Sequence, residues 1–81
     1  MPAKAFVLVE TEVGRTKDVV AALQAQKVKE IKTVDLVTGP YDVIAVVEHE
    51  DFNAIGSLVT EKIHPIPGIK RTVTCLSIRV S

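Results

Sequence analysis

The chain has 81 residues, ten basic and ten acidic side chains, and a formal net charge of zero. One domain of this size hides little more than about 60% of the surface its unfolded chain exposes, so it needs a further source of stability. The lone Cys75 excludes an intrachain disulfide. His49 and His64 have no partner at metal-ligand spacing, so no metal is expected. The balanced charge, with no basic stripe, argues against direct binding of nucleic acid. Self-association is the staple that remains.

Residues Ala3 to Glu10 are rich in Val, Phe and Leu and read as a first strand. The apolar run Ala5 to Val9 is too short for a secretion signal or a membrane span, which places the protein in the cytoplasm as an expectation. From Arg15 to Gln26 the apolar period changes. Val19, Val20 and Leu23 fall on one side of a helix, with Thr16 and Lys27 in step. Thr16 is the expected cap, and Asp18 suits the positive helix start. A second strand is expected in the latter part of Val28 to Thr38, and Gly39-Pro40-Tyr41-Asp42 is a turn by composition. Val43 to Glu48 is the third strand, joined to the second as an antiparallel hairpin. The apolar stripe of Phe52, Ile55, Leu58, Val59 and Ile63 predicts a second helix over Asp51 to Ile63, capped by Asp51. Pro65-Ile66-Pro67-Gly68 stops it. Ile69 to Val80 is the last strand.

The order βαββαβ over residues 1–81 is one α+β domain. Right-handed crossovers put both helices on one face of a four-stranded antiparallel sheet, a ferredoxin-like sandwich. Such a sheet alternates apolar and polar residues if its other face meets water. This one does not. Ala5, Val7 and Val9 oppose Phe6 and Leu8, and Val43, Ala45 and Val47 oppose Ile44 and Val46. One face belongs to the helices. The other would expose an apolar patch larger than monomers tolerate, so a second copy is expected to cover it as a two-fold dimer.

No catalytic constellation stands out. Ser57, Ser77 and Ser81 have no histidine in a meaningful pattern. Cys75, inside an apolar strand, is read as a buried structural thiol. His64 is read as an exposed residue at a helix end, and His49 between Glu48 and Glu50 as a solvated strand end. The turn Gly39 to Asp42 is the most informative local feature. It reads as a plain hairpin turn, or as the rim of a pocket in which Asp42 accepts hydrogen bonds from an ammonium group and backbone N–H groups hold a carboxylate. Tyr41, the only tyrosine, offers an apolar body with a polar tip. Thr72 and Thr74 share a face with Leu76 and Ile78 and either line a polar spot or simply suit a strand.

The stretch Val37-Thr38-Gly39-Pro40-Tyr41-Asp42-Val43, together with Pro67-Gly68-Ile69-Lys70-Arg71-Thr72-Val73-Thr74, resembles the C-terminal effector domain of Lrp/AsnC feast/famine regulators, also called the RAM domain. The resemblance spans essentially the whole chain. It implies a dimeric α/β barrel in which two sheets pair, rings of dimers, and an amino-acid effector bound between dimers. Gly39, Tyr41 and Asp42 match the family turn that contacts the effector, and Thr72 and Thr74 match its threonine-bearing last strand. The first strand begins within a few residues of Met1, where such regulators carry a helix-turn-helix. The chain therefore looks like a stand-alone effector domain that acts by co-assembling with a full-length relative. Two other readings stay open: a small dimeric enzyme of the monooxygenase or isomerase type, and a purely structural partner of a DNA-binding homologue. No cofactor is implied.

Overall fold

The computed structural model describes residues 3–78. Val-, Ile- and Leu-rich segments form the strands β1 (Ala3–Thr11), β2 (Ile31–Leu36), β3 (Val43–His49) and β4 (Ile69–Leu76). Between them lie α1 (Thr16–Ala25) and α2 (Phe52–Leu58), the latter running on into a wider π-helical turn over Val59–Ile63. The sheet order is β2-β3-β1-β4, and every neighbouring pair is antiparallel. This is the expected βαββαβ topology. The last strand is shorter than expected: Ile78 lies beyond its end, and Val80 falls outside the described residues. No helix among the described residues is long and apolar enough to cross a membrane.

Strand alternation decides what is buried. Val7 pairs with Ala45 on one side and Thr74 on the other, so these three residues share the helix face. Ala5, Val7, Val9, Val43, Ala45 and Val47 are completely buried there against Val19, Leu23, Ile55 and Ile63. The opposite face carries Phe6, Leu8, Ile44, Val46 and Val73, and no element among the described residues covers it. Phe6 stays 36% exposed. The alternation left open which apolar face the helices would take; they take that of Val7 and Ala45, and the face of Phe6 and Val46 is the bare one.

Two expected details are corrected. Thr16 does not cap α1, because the N-cap position is Arg15 and the Thr16 hydroxyl turns back to Thr11. Cys75 is exposed, not buried. It pairs with Phe6 on the open face of an edge strand, where nothing packs over it. Asp51 does cap α2, its carboxylate accepting the Asn53 N–H at 2.9 Å. The π turn closes through the His64 N–H donating to the Val59 carbonyl at 2.8 Å. Pro65, without an N–H, ends it.

One glycine is required by space as well as by backbone angle. Gly68 has φ +98°, and a Cβ there would meet the Arg15 Cβ at 3.0 Å and Val19 Cγ2 at 3.1 Å. Its carbonyl accepts the Glu12 N–H at 2.7 Å, tying the start of β4 to the loop before α1. Gly14 also has positive φ, at +79°, but its missing Cβ faces open space. Gly14→Ala should therefore cost only about 1 kcal/mol, for the backbone angle alone. Gly68→Ala should cost about 2–3 kcal/mol, because strain and overpacking add. Urea denaturation of the two variants checks this, and equal losses would show that the contact with α1 is unimportant.

Candidate functional site

The segment between β2 and β3 closes through two backbone bonds at residue 42. The Val37 N–H donates to the Asp42 carbonyl at 2.9 Å, and the Asp42 N–H donates to the Val9 carbonyl at 2.9 Å. The Asp42 side chain adds a third connection. Its Oδ2 accepts the Thr11 N–H at 2.9 Å and the Thr11 hydroxyl at 3.1 Å. Past the last β1–β3 pair, Val9 with Val43, the carboxylate thus stands in for the carbonyl of another ladder rung. Asp42 ties together β1, β2 and the start of β3. The turn reading of this residue is structurally justified, whatever else it does.

The Thr11 Oγ1 also lies 2.7 Å from the Thr16 Oγ1. A carboxylate only accepts, so the single Thr11 hydroxyl proton points to Asp42 and the Thr16 hydroxyl must donate to Thr11. Thr11 is the buried polar residue of the core region, 9% exposed. Sequence reasoning passed over it. The signal was a threonine ending an apolar strand next to a polar loop, which is too common a pattern to single out.

Tyr41 sits on the other side of the turn. The Arg71 guanidinium lies over its ring, 5.8 Å from the centroid. Arg71 pairs across the sheet with Glu10, and its Nε is 3.4 Å from a Glu10 carboxylate oxygen. The Lys70 ammonium reaches the same carboxylate at 4.0 Å. These ion pairs are well exposed and contribute little stability, so their interest is the cluster of charge beside an aromatic ring. Arg71 lay inside the motif that drew attention to β4 but was not among the candidate residues.

Thr72 and Thr74 lie on the helix side of β4, opposite Val9 and Val7. Thr72 is half-buried, whereas Thr74 is exposed and Leu76 is 40% exposed. Residue 42 and Thr72 flank Val9 from opposite sides, which at ordinary strand spacing puts their backbones about 10 Å apart. Gly39, at φ +137°, is exposed in the segment between β2 and β3. Asp42 and Thr72 thus stand close at one end of the sheet, while Tyr41 stacks with Arg71 toward the open face and Thr74 lies farther along β4, opposite Val7. The principal clefts lie elsewhere. One of about 390 Å³ runs along Gln26, Val28, Lys62 and Ile66, and another of about 330 Å³ lies by Glu30 and His49.

Comparison with known proteins bears directly on this arrangement. The family model of the Lrp/AsnC ligand-binding domain matches residues 4–81. The chain belongs to that family. The HTH-type transcriptional regulator PH0140 of Pyrococcus horikoshii is 33% identical over 72 residues, covering 89% of this chain and 44% of the regulator. The chain thus spans less than half the length of that curated relative. Among solved structures, TTHA0845 from Thermus thermophilus superposes with a TM-score of 0.86 at 32% identity, covering 98% of this chain and 96% of that one. The complex of regulator NMB0573 from Neisseria meningitidis with L-methionine shares the fold, with a TM-score of 0.80 at 19% identity, over 95% of this chain and 50% of that one. The family is one of ligand-binding domains of transcription regulators, as the motifs implied.

The double duty of Asp42 makes its two obvious variants differ. Asp42→Ala leaves the Thr11 N–H without its partner and should cost about 1–3 kcal/mol. Asp42→Asn keeps an amide oxygen to accept both Thr11 bonds and should stay within about 1 kcal/mol of the parent chain. Chemical denaturation distinguishes them. Equal losses would mean that the charge, and not the hydrogen bonds, holds the turn.

Proposed function

We propose that this chain is a non-enzymatic effector-sensing module that binds an amino acid at an interface between copies of itself. The observation that carries the reading is the openness of the candidate site. Asp42 and Thr72 flank Val9 at one end of the sheet, Thr74 lies farther along β4, and the principal clefts of one copy take in none of Gly39, Tyr41, Asp42, Thr72 and Thr74. A zwitterionic amino acid needs an acceptor for its ammonium group and donors for its carboxylate. Asp42 supplies the first, and the turn's N–H groups, with Thr72 and Thr74, supply the second. The L-methionine bound by the Neisseria relative makes this the first compound to try.

The second copy is placed by the bare sheet face. Phe6, Leu8, Ile44, Val46 and Val73 form its apolar centre. Lys4, opposite Glu48, lies at one end, and Glu10, bonded to Arg71, at the other. Lys4 with Glu48 and Glu10 with Arg71 set opposite charges side by side, while Asp35, opposite Ile44 on the same face, has no ion pair among the described residues. Pairing sheet on sheet buries the patch that one chain cannot. Contacts at the turn and along β4 then carry dimers into a ring. A module of this kind, in the cytoplasm, modulates transcription by co-assembling with full-length Lrp/AsnC regulators, without touching DNA itself.

Two experiments test this. Thermal unfolding is followed with L-methionine and then the other standard amino acids. A ligand at about 100 times its Kd stabilises by about 2.7 kcal/mol, a plain rise in Tm. Asp42→Asn should abolish the rise while leaving sedimentation unchanged, and a set of twenty flat responses would overturn the sensing role. In sedimentation velocity at micromolar concentration the parent chain should run as a dimer or larger. Val46→Glu should run as a monomer. A monomeric parent would refute the paired sheets.

A further inference from the structure

Asp42 needs a fixed orientation if it is to hold a ligand, and the structure names the group that fixes it. Both Thr11 bonds, from the N–H and from the hydroxyl, converge on one oxygen, Oδ2. Two donors on one oxygen lock the carboxylate torsion. Among the described residues, Oδ1 carries no such bond and stays available. The Thr11 hydroxyl is held in turn by the Thr16 hydroxyl, at the first residue of α1. The chain of donation runs in one direction, from Thr16 to Thr11 to Asp42.

The same short segment reaches the other half of the site. Thr11 pairs with Ile69 of β4, next to a register shift. The neighbouring Glu12 N–H donates to the Gly68 carbonyl, and Gly68 packs on Arg15 and Val19 of α1. Thr11 therefore stands between the turn that carries Asp42, the first turn of α1, and the start of the strand that carries Thr72 and Thr74.

We propose that Thr11 is the positioning residue of the candidate site, and that the Thr16–Thr11–Asp42 chain couples the turn to the N-terminus of α1. The positioning role rests on the reading of Asp42 as the ligand's carboxylate partner. The coupling does not. A ligand ammonium that draws on Oδ1 weakens Oδ2 as an acceptor, and the change passes through two hydroxyls to the helix start. Occupancy is thereby felt on the helix side of the sheet without any contact between ligand and helix.

A double-mutant cycle tests the coupling with no ligand present. Thr16 reaches Asp42 through the Thr11 hydroxyl, so Thr16→Val and Asp42→Ala, which removes the acceptor, should be non-additive by about threefold or more in the unfolding equilibrium constant. In a Thr11→Val background the two should become additive, and Thr11→Ser should restore the non-additivity. Additivity in the otherwise unaltered chain overturns the proposal, and needs no Thr11 variant to fold. Non-additivity that survives in Thr11→Val overturns it as well. Calorimetry with L-methionine, followed by the other standard amino acids, tests positioning. Thr11→Val should weaken binding by about tenfold, and Thr11→Ser should keep it. Unchanged affinity in Thr11→Val removes the positioning role. If the unaltered chain binds no amino acid, the functional reading falls and the positioning role with it, while the cycle still decides the coupling.

Discussion

The whole structure depends on one constraint: a four-stranded sheet whose strands are apolar on both faces, served by only two helices. Strand alternation sends Val7 and Ala45 to one side and Phe6 and Val46 to the other. The helices complete a dry core on the first side. They cannot wrap the second. An isolated chain is left with a water-facing surface built from the residues that normally fill an interior. On the proposed pairing of sheets, self-association would continue the folding of a domain this small, and the proposed effector site would form between chains.

The candidate site is built on the same economy. Asp42 holds three strands together through its N–H, its carbonyl and one carboxylate oxygen. Among the described residues, none bonds to the other oxygen. A residue so tightly placed is a poor hinge and a good fixed point: in the proposed role, its orientation is settled by folding before any ligand arrives. Tyr41 and Arg71, stacked nearby, face the uncovered side of the sheet, so the site borders the surface expected to meet another copy.

Much of this could be read along the chain. Periodicity located the six elements, and the doubled apolar pattern of strands such as Ala5 to Val9 foretold a bare apolar face without saying which of the two it would be. The Gly-Pro-Tyr-Asp turn and the Pro-Gly-led last strand carried the family. Relations between distant residues could not be read. The bond from Thr11 to Asp42 spans 31 residues. It exists because antiparallel pairing brings two strand ends together, and neither residue announces it. Thr16 looked like a cap because it opens a helix, but its hydroxyl found a better partner in space. Cys75 looked buried because its neighbours are apolar. Whether a strand lies at the edge of the sheet is a property of topology, and β4 is an edge.

Beyond the register shift, alternation divides β4 by parity, whereas Ile69 before it packs against the core. Val73 and Cys75 belong to the apolar open face. Thr72, Thr74 and Leu76 lie on the helix side, half-buried at Thr72 and exposed at Thr74 and Leu76. One strand thus serves two surfaces that share no side chain. Substitutions at alternate positions can alter either surface without touching the other. A shift of one residue in its pairing would exchange them, placing hydroxyls on the apolar face and a thiol beside the polar strip. The register shift between Glu10 and Thr11, with Gly68 wedged against α1 just before the strand begins, sits where such a slip would have to start.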